Sequence, residues 1–240
     1  MISLRQACAG VLLCLCFTAF AADSKHPDFS GVWTWYAEPG KSPFGMGPKP
    51  ALPFTPQAKE KVDAYTALIT PTMDNPGAHC LGTGMPGSML DSGGYPMEII
   101  QQPEQITIIY EAHTETRRVY LGAREVPPAD RLPGRNGYSS GHWEGDTLVV
   151  ETTNLKEQED ERYAHSERAR IVEKYHLSID GKGNKTLVAQ MTMTDPDFYT
   201  APVSEEKKWT FVPNGHLLPY ECDEQGWLDH LDELKNAAKR

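Results

Sequence analysis

Proton transfer and charge recognition need imidazole, carboxylate and guanidinium groups in one place, and this chain carries all three on segments of strand character. His142 lies in the run Ser140-Gly141-His142-Trp143-Glu144-Gly145-Asp146-Thr147-Leu148-Val149-Val150-Glu151. Its imidazole is the side chain best able to exchange a proton near neutral pH. Glu98, Glu111 and Glu151 stand two positions from Ile100, Ile109 and Val149, and Glu173 two from Tyr175. In extended chain each acid therefore shares a face with an apolar neighbour. A carboxylate turned inward there needs a cation or a hydrogen-bond donor. Arg117 and Arg118 are adjacent, so one of them points inward in either register and can take a carboxylate from the next strand. With His142, Glu98, Glu111 or Glu151 as base and an arginine beside a developing oxyanion, lyase, isomerase or hydrolase chemistry fits. The same residues have a plainer reading as register-fixing salt bridges and a histidine at a strand end.

Aromatic side chains can supply the apolar half of a binding site. Trp33, Tyr110, Tyr120 and Trp209 can hold a ligand body while Arg117 or Arg118 holds its polar end. His165 sits in the polar loop Tyr163-Ala164-His165-Ser166-Glu167, which can hang over a cavity mouth, and Tyr220 lies two residues from Cys222. The eight histidines are scattered, with no His-x-His and no His-Glu-x-x-His, so no metal is expected. A Gly-x-Ser-x-Gly elbow, a phosphate loop and a dinucleotide glycine pattern are all missing, so no cofactor is expected either.

The elements that must position these residues read as strand after strand. Candidates are 29–36, 97–101, 105–113, 116–121, 141–143, 147–152, 170–178, 186–194, 206–212 and 217–221, with turn signals at Gly181-Lys182-Gly183-Asn184 and Pro213-Asn214-Gly215. Extending the third candidate to 113 puts Thr107, Ile109, Glu111 and His113 on one face. Thr55-Pro56-Gln57-Ala58 opens an N-terminal helix with Val62, Tyr65 and Leu68 as its buried stripe, and 227–239 reads as a C-terminal helix. The stretch from Pro71 to Tyr95 is long for a compact domain and reads as a functional lid or a wrap held down by a disulfide. An antiparallel barrel of about 8–10 strands with a helix near each end accommodates this order, because closure removes exposed edges.

Residues 1–22 have the layout of a secretory signal peptide: basic Arg5, an apolar run from Ala9 to Phe20, and small residues at Ala21-Ala22. The mature part, 23–240, reads as one domain in the periplasm or outside the cell, with no membrane insertion after the leader is removed. A net charge of -10 argues against nucleic acid and anionic membranes as partners. Cys8, Cys14 and Cys16 leave with the leader, so Cys80 and Cys222 are expected to form a bridge.

Gly31-Val32-Trp33 resembles the Gly-x-Trp opening of lipocalin-like, calycin-type barrels, where the tryptophan packs across the closed end. A closer resemblance spans nearly the whole mature chain. Pro96-Met97-Glu98-Ile99-Ile100-Gln101, Tyr110-Glu111, Arg117-Arg118-Val119-Tyr120-Leu121, Gly141-His142-Trp143-Glu144-Gly145-Asp146-Thr147-Leu148-Val149-Val150-Glu151-Thr152 and Tyr220-Glu221-Cys222 look like a family of secreted, largely uncharacterised bacterial proteins. The resemblance implies export and a β-rich barrel. Where many relatives have Asp at the strand acid, this chain has Glu151, one methylene longer. Residues and resemblance together imply an exported barrel that acts on a small organic molecule by cofactor-independent acid–base chemistry. The alternatives are a carrier that only binds such a molecule and an envelope interaction protein with a solid interior. Neither oligomeric state nor ligand identity is readable.

Overall fold

The computed structural model describes residues 26–37, 51–72, 75–90, 94–160 and 163–222, with Gly226, Leu228, Asp229, Leu231 and Asn236 beyond. The leader expected over 1–22 lies outside the described residues, as does most of the C-terminal helix expected over 227–239, so no distinct helix is defined there.

Nine strands form one closed barrel: β1 Gly31–Trp35, β2 Met97–Gln102, β3 Gln105–Tyr110, β4 Glu115–Leu121, β5 Tyr138–Glu144, β6 Thr147–Thr153, β7 Arg170–Ile179, β8 Lys185–Thr194 and β9 Val203–Val212. Strands pair in chain order and β9 returns to β1, with Trp33 opposite Phe211, so the ring has no free edge. The barrel is mixed rather than wholly antiparallel. β4 and β5 run parallel, Val119 opposite Ser139 and Leu121 opposite Gly141, and 122–137 supplies the long connection such a pair needs. The reason is geometric. Each antiparallel neighbour reverses direction, and a closed ring must contain an even number of reversals, so nine strands require a parallel pair.

Two further expectations are corrected. β3 stops at Tyr110 because His113 and Thr114 adopt left-handed backbone, φ 57° and 50°, so Glu111 and His113 do not follow strand parity. The stretch 217–221 forms no strand, since β9 already closes on β1 and leaves no edge for a tenth.

The inward face is continuous around the ring. Trp33, Ile99, Ile106, Val119, Val150, Ile171, Leu187 and Trp209 are all buried there. Trp33 packs edge-on to Phe211 and donates its Nε1–H to the Phe29 carbonyl at 2.8 Å, helping to fill one end. Arg117 and Glu173 also face inward, 1% and 0% exposed.

The other end is covered by loops and one substantial helix. α1, Pro56–Ile69, is capped by the Thr55 hydroxyl, which accepts from Ala58 N at 3.1 Å. Its buried residues are Ala58 and Val62, whereas Leu68 is 74% exposed. Anchorage explains this correction: Phe54 bridges to Tyr199 and Thr55 N donates to the Phe198 carbonyl, so only the first turns of α1 are held against the barrel. Between α1 and β2 the chain dives inward. Gly82 and the run from Gly84 to Met89 are buried, ending in the short helix α2, Gly87–Leu90. Tyr175 Oη lies 3.7 Å from Met89 Sδ, and Lys207 Nζ donates to the Leu90 carbonyl at 3.0 Å. Met85 and Met89 meet Met97, Met191 and Met193 in the same core cluster, a soft filling suited to an irregular plug. The Cys80–Cys222 disulfide, Cα–Cα 5.4 Å, ties the start of this plug to the chain after β9. Among the described residues no helix is long and apolar enough to cross a membrane.

Candidate functional site

A cleft opens at the mouth. About 170 Å³ in volume, it is bounded by the plug (Leu81, Thr83, Gly87, Ser88), the turn before it (Asn75, Pro76, Gly77), Tyr95, the end of β3 and the turn into β4 (Tyr110, Ala112, His113, Glu115), Arg135, and the loop side chains Gln158, Asp160 and Tyr163. The connection between the parallel strands brings Arg135 here, and the β6–β7 loop brings the last three.

Its walls differ in chemistry. One is aromatic: the His113 ring lies 4.9 Å from Tyr220, and Tyr220 meets Tyr95 edge-on at 5.6 Å. His113 Nδ1 is buried without a hydrogen-bond partner, and the residue is held at φ 57°, ψ 13°. Left-handed backbone at non-glycine residues costs of order 1–3 kcal/mol and clusters where function uses it.

The facing wall is polar and holds the plug in place. Glu115 accepts from Gly84 N at 3.1 Å, from the Ser88 hydroxyl at 2.8 Å and from Asn136 Nδ2 at 3.3 Å. Arg135 donates from Nε to the Gly82 carbonyl at 2.9 Å, and from Nη2 to the Thr83 carbonyl at 3.2 Å and Gln158 Oε1 at 3.3 Å. Among the described residues its Nη1 finds no acceptor and no carboxylate pairs with it. At the cleft wall Tyr110 is buried beside Arg117, and desolvation holds its phenol well above the ordinary range. It stays neutral and can only exchange hydrogen bonds.

Arg117 anchors a buried network beneath. Its guanidinium pairs with Glu173 through Nη1 (2.9 Å) and Nη2, and donates from Nε to Ser139 at 3.0 Å and from Nη2 to Thr152 at 2.8 Å. Tyr175 donates to Glu173 at 2.9 Å. Burial alone would lower the arginine pKa; the Glu173 charge and hydrogen bonds outweigh it and hold the group charged.

The residues singled out in the sequence fall in three places. Tyr110 lines the cleft, and Tyr220 backs it. Glu111 is nearby at the mouth, accepting from Leu218 N at 2.6 Å. His165 is fully buried behind Tyr163; its Nδ1 lies 2.8 Å from the Tyr163 carbonyl, and desolvation lowers its pKa. Arg117, Trp33 and Trp209 lie in the core. The rest face outward. The His142 side chain is 65% exposed and 3.2 Å from Glu144, and Glu151 pairs with Arg170 at 2.6 Å, a hydrogen bond that lowers its pKa. Glu98 is half-buried on the outer wall, Arg118 is exposed, and Tyr120 stacks on Tyr138 at 5.2 Å. His142, Glu98 and Glu151 are thus not brought together with the mouth residues. Arg135, Tyr95 and Glu115 escaped the sequence reading because the first two lie in loops without period and Glu115 is the first residue of its strand, whereas Tyr163 was named only as part of the loop expected over the mouth. Among the described residues no group of three or more His, Cys, Asp or Glu stands close enough to hold a metal ion.

No model of a protein family matches the chain. Nor does any curated protein match it in sequence. The fold, a closed nine-stranded mixed barrel, and the mouth geometry therefore carry the functional argument.

Proposed function

We propose that this protein is a small-molecule-binding barrel, exported by its leader to the periplasm or beyond and akin to the secreted barrel proteins its motifs resemble. The observation that carries this reading is the mouth cleft, lined by Tyr95, Tyr110, His113 and Tyr163 together with the Arg135 guanidinium, whose Nε and Nη2 are held by plug carbonyls and Gln158. Binding sites have this composition: mostly apolar lining with a few convergent polar groups. Tyr110 contributes directly, and Tyr220 and His165 support the wall and the loop from behind. Binding is favoured over acid–base catalysis because His142, Glu98 and Glu151 face outward on the barrel wall.

A thermal-shift screen of small organic molecules, followed by calorimetric titration of the hits, tests this. Hits should weaken by about tenfold or more in His113→Ala and bind unchanged in Arg118→Ala and His142→Ala, both on the outer wall. Hits that respond to the outer-wall variants and ignore His113→Ala would move the site elsewhere.

A further inference from the structure

We propose that the ligand of the mouth cleft is a single-ring aromatic carboxylate, its ring against the His113–Tyr220–Tyr95 wall and its acid group on Arg135. The proposal rests on the cleft being the binding site and names what it takes.

Size gives the first constraint. An engineered cavity of about 150 Å³ holds one benzene. The cleft, at about 170 Å³, has room for one ring and a small substituent. Shape and chemistry of the wall give the second. His113, Tyr95 and Tyr163 line the cleft, so a flat ring finds faces to stack on, whereas a saturated ring of equal volume does not.

Charge gives the third. Three ionisable side chains of fixed sign line the cleft: Arg135, Glu115 and Asp160. Glu115 is committed, its two oxygens taking donors from Gly84, Ser88 and Asn136. Asp160 has interactions of its own. Arg135 is the group left with capacity. Its Nε and Nη2 are fixed by carbonyls of the plug and by Gln158, which orients the guanidinium in advance while Nη1 has no acceptor among the described residues. A preorganised guanidinium N–H in a partly desolvated cleft calls for an anionic oxygen, and a charge-assisted bond is about twice as strong as a neutral one.

Titration of the intact protein with four matched probes, followed by calorimetry or ligand-observed NMR, decides the matter. Benzoate is the expected ligand; benzyl alcohol removes the charge, benzylamine inverts it, and cyclohexanecarboxylate removes the flat ring. Benzoate should bind at least about tenfold tighter than each of the other three, and its lead over benzyl alcohol should close in Arg135→Gln. The comparison among probes uses the unaltered chain and stands even if that variant loosens the plug. Equal binding of benzoate and benzyl alcohol, or preference for benzylamine, overturns the carboxylate assignment and leaves the cleft as a site for another chemistry. Equal binding of cyclohexanecarboxylate overturns the aromatic part. Silence from all four probes also overturns this proposal, and silence from a broad small-molecule library as well removes the binding function itself.

Discussion

Arg117 shows at the scale of one residue how much a buried charge depends on its partners. Both members of the Arg117–Glu173 pair are buried, and each has hydrogen-bond partners beyond the other. Removing one leaves an uncompensated charge in the core, which costs about 3–5 kcal/mol, whereas replacing both with apolar residues of similar volume is often neutral. Denaturant unfolding should therefore show Glu173→Leu strongly destabilised and Arg117→Met/Glu173→Leu largely recovered. An unrecovered double variant would mean that the pair's net contribution exceeds its desolvation cost. His165 makes a pH prediction. Burial lowers its folded-state pKa below the ordinary 6.5, so the unfolded chain takes up the proton first. Its contribution to stability is present above 6.5 and is lost as pH falls from there to the folded pKa. His165→Gln should flatten the fall in Tm between neutral and mildly acidic pH, and an unchanged slope would show that other groups carry it. Adjacency alone made it legible that Arg117 or Arg118 must turn inward, while which of the two does so needed the register with Ile108 and Ser139's strand.

The plug is the element on which the site depends, and glycine lets it sit where it does. Gly84 has φ +67°, and a Cβ there would stand 2.7 Å from the Arg135 carbonyl oxygen. Gly122 has a similar φ of +53° with nothing within 4 Å. Gly122→Ala should thus cost only the left-handed backbone penalty, about 1–2 kcal/mol. Gly84→Ala adds displacement of Arg135 to that penalty, and should destabilise more and raise hydrogen exchange at the plug amides. Equal costs for the two variants would show that the plug yields without disturbing its latch. Strands of alternating pattern, such as Ile106, Ile108 and Tyr110 in β3, were legible because burial repeats every second residue. The plug was not. Its burial follows hydrogen bonds to Glu115 and Arg135 from distant parts of the chain, and no local period encodes them.

At the scale of the molecule, a ring of nine strands leaves both chain ends to be secured by other means. The Cys80–Cys222 bridge spans a sequence separation of 142 and joins the plug to the segment that follows the last strand. Closing so long a loop is worth roughly 5 kcal/mol in the chain-entropy model, and measured values often fall below that. Cys80→Ala/Cys222→Ala should lower stability by about 2–5 kcal/mol and weaken ligand binding at the mouth, since Leu81 of the cleft follows Cys80 directly. Lost stability with undiminished binding would separate the bridge from the site. The bridge was readable from cysteine count once the leader was set aside. The parallel β4–β5 pair was not, because strand direction follows from closure of the whole ring rather than from any segment within it.

The central claim is that small molecules bind at the barrel mouth. Amide chemical-shift mapping of a screened ligand on the labelled protein tests it most directly. Binding at the mouth gives saturable shifts confined to Gly77, Leu81, Thr83, His113, Arg135 and their neighbours. Shifts gathered instead around His142, Glu151 and Arg118 on the outer wall would contradict it.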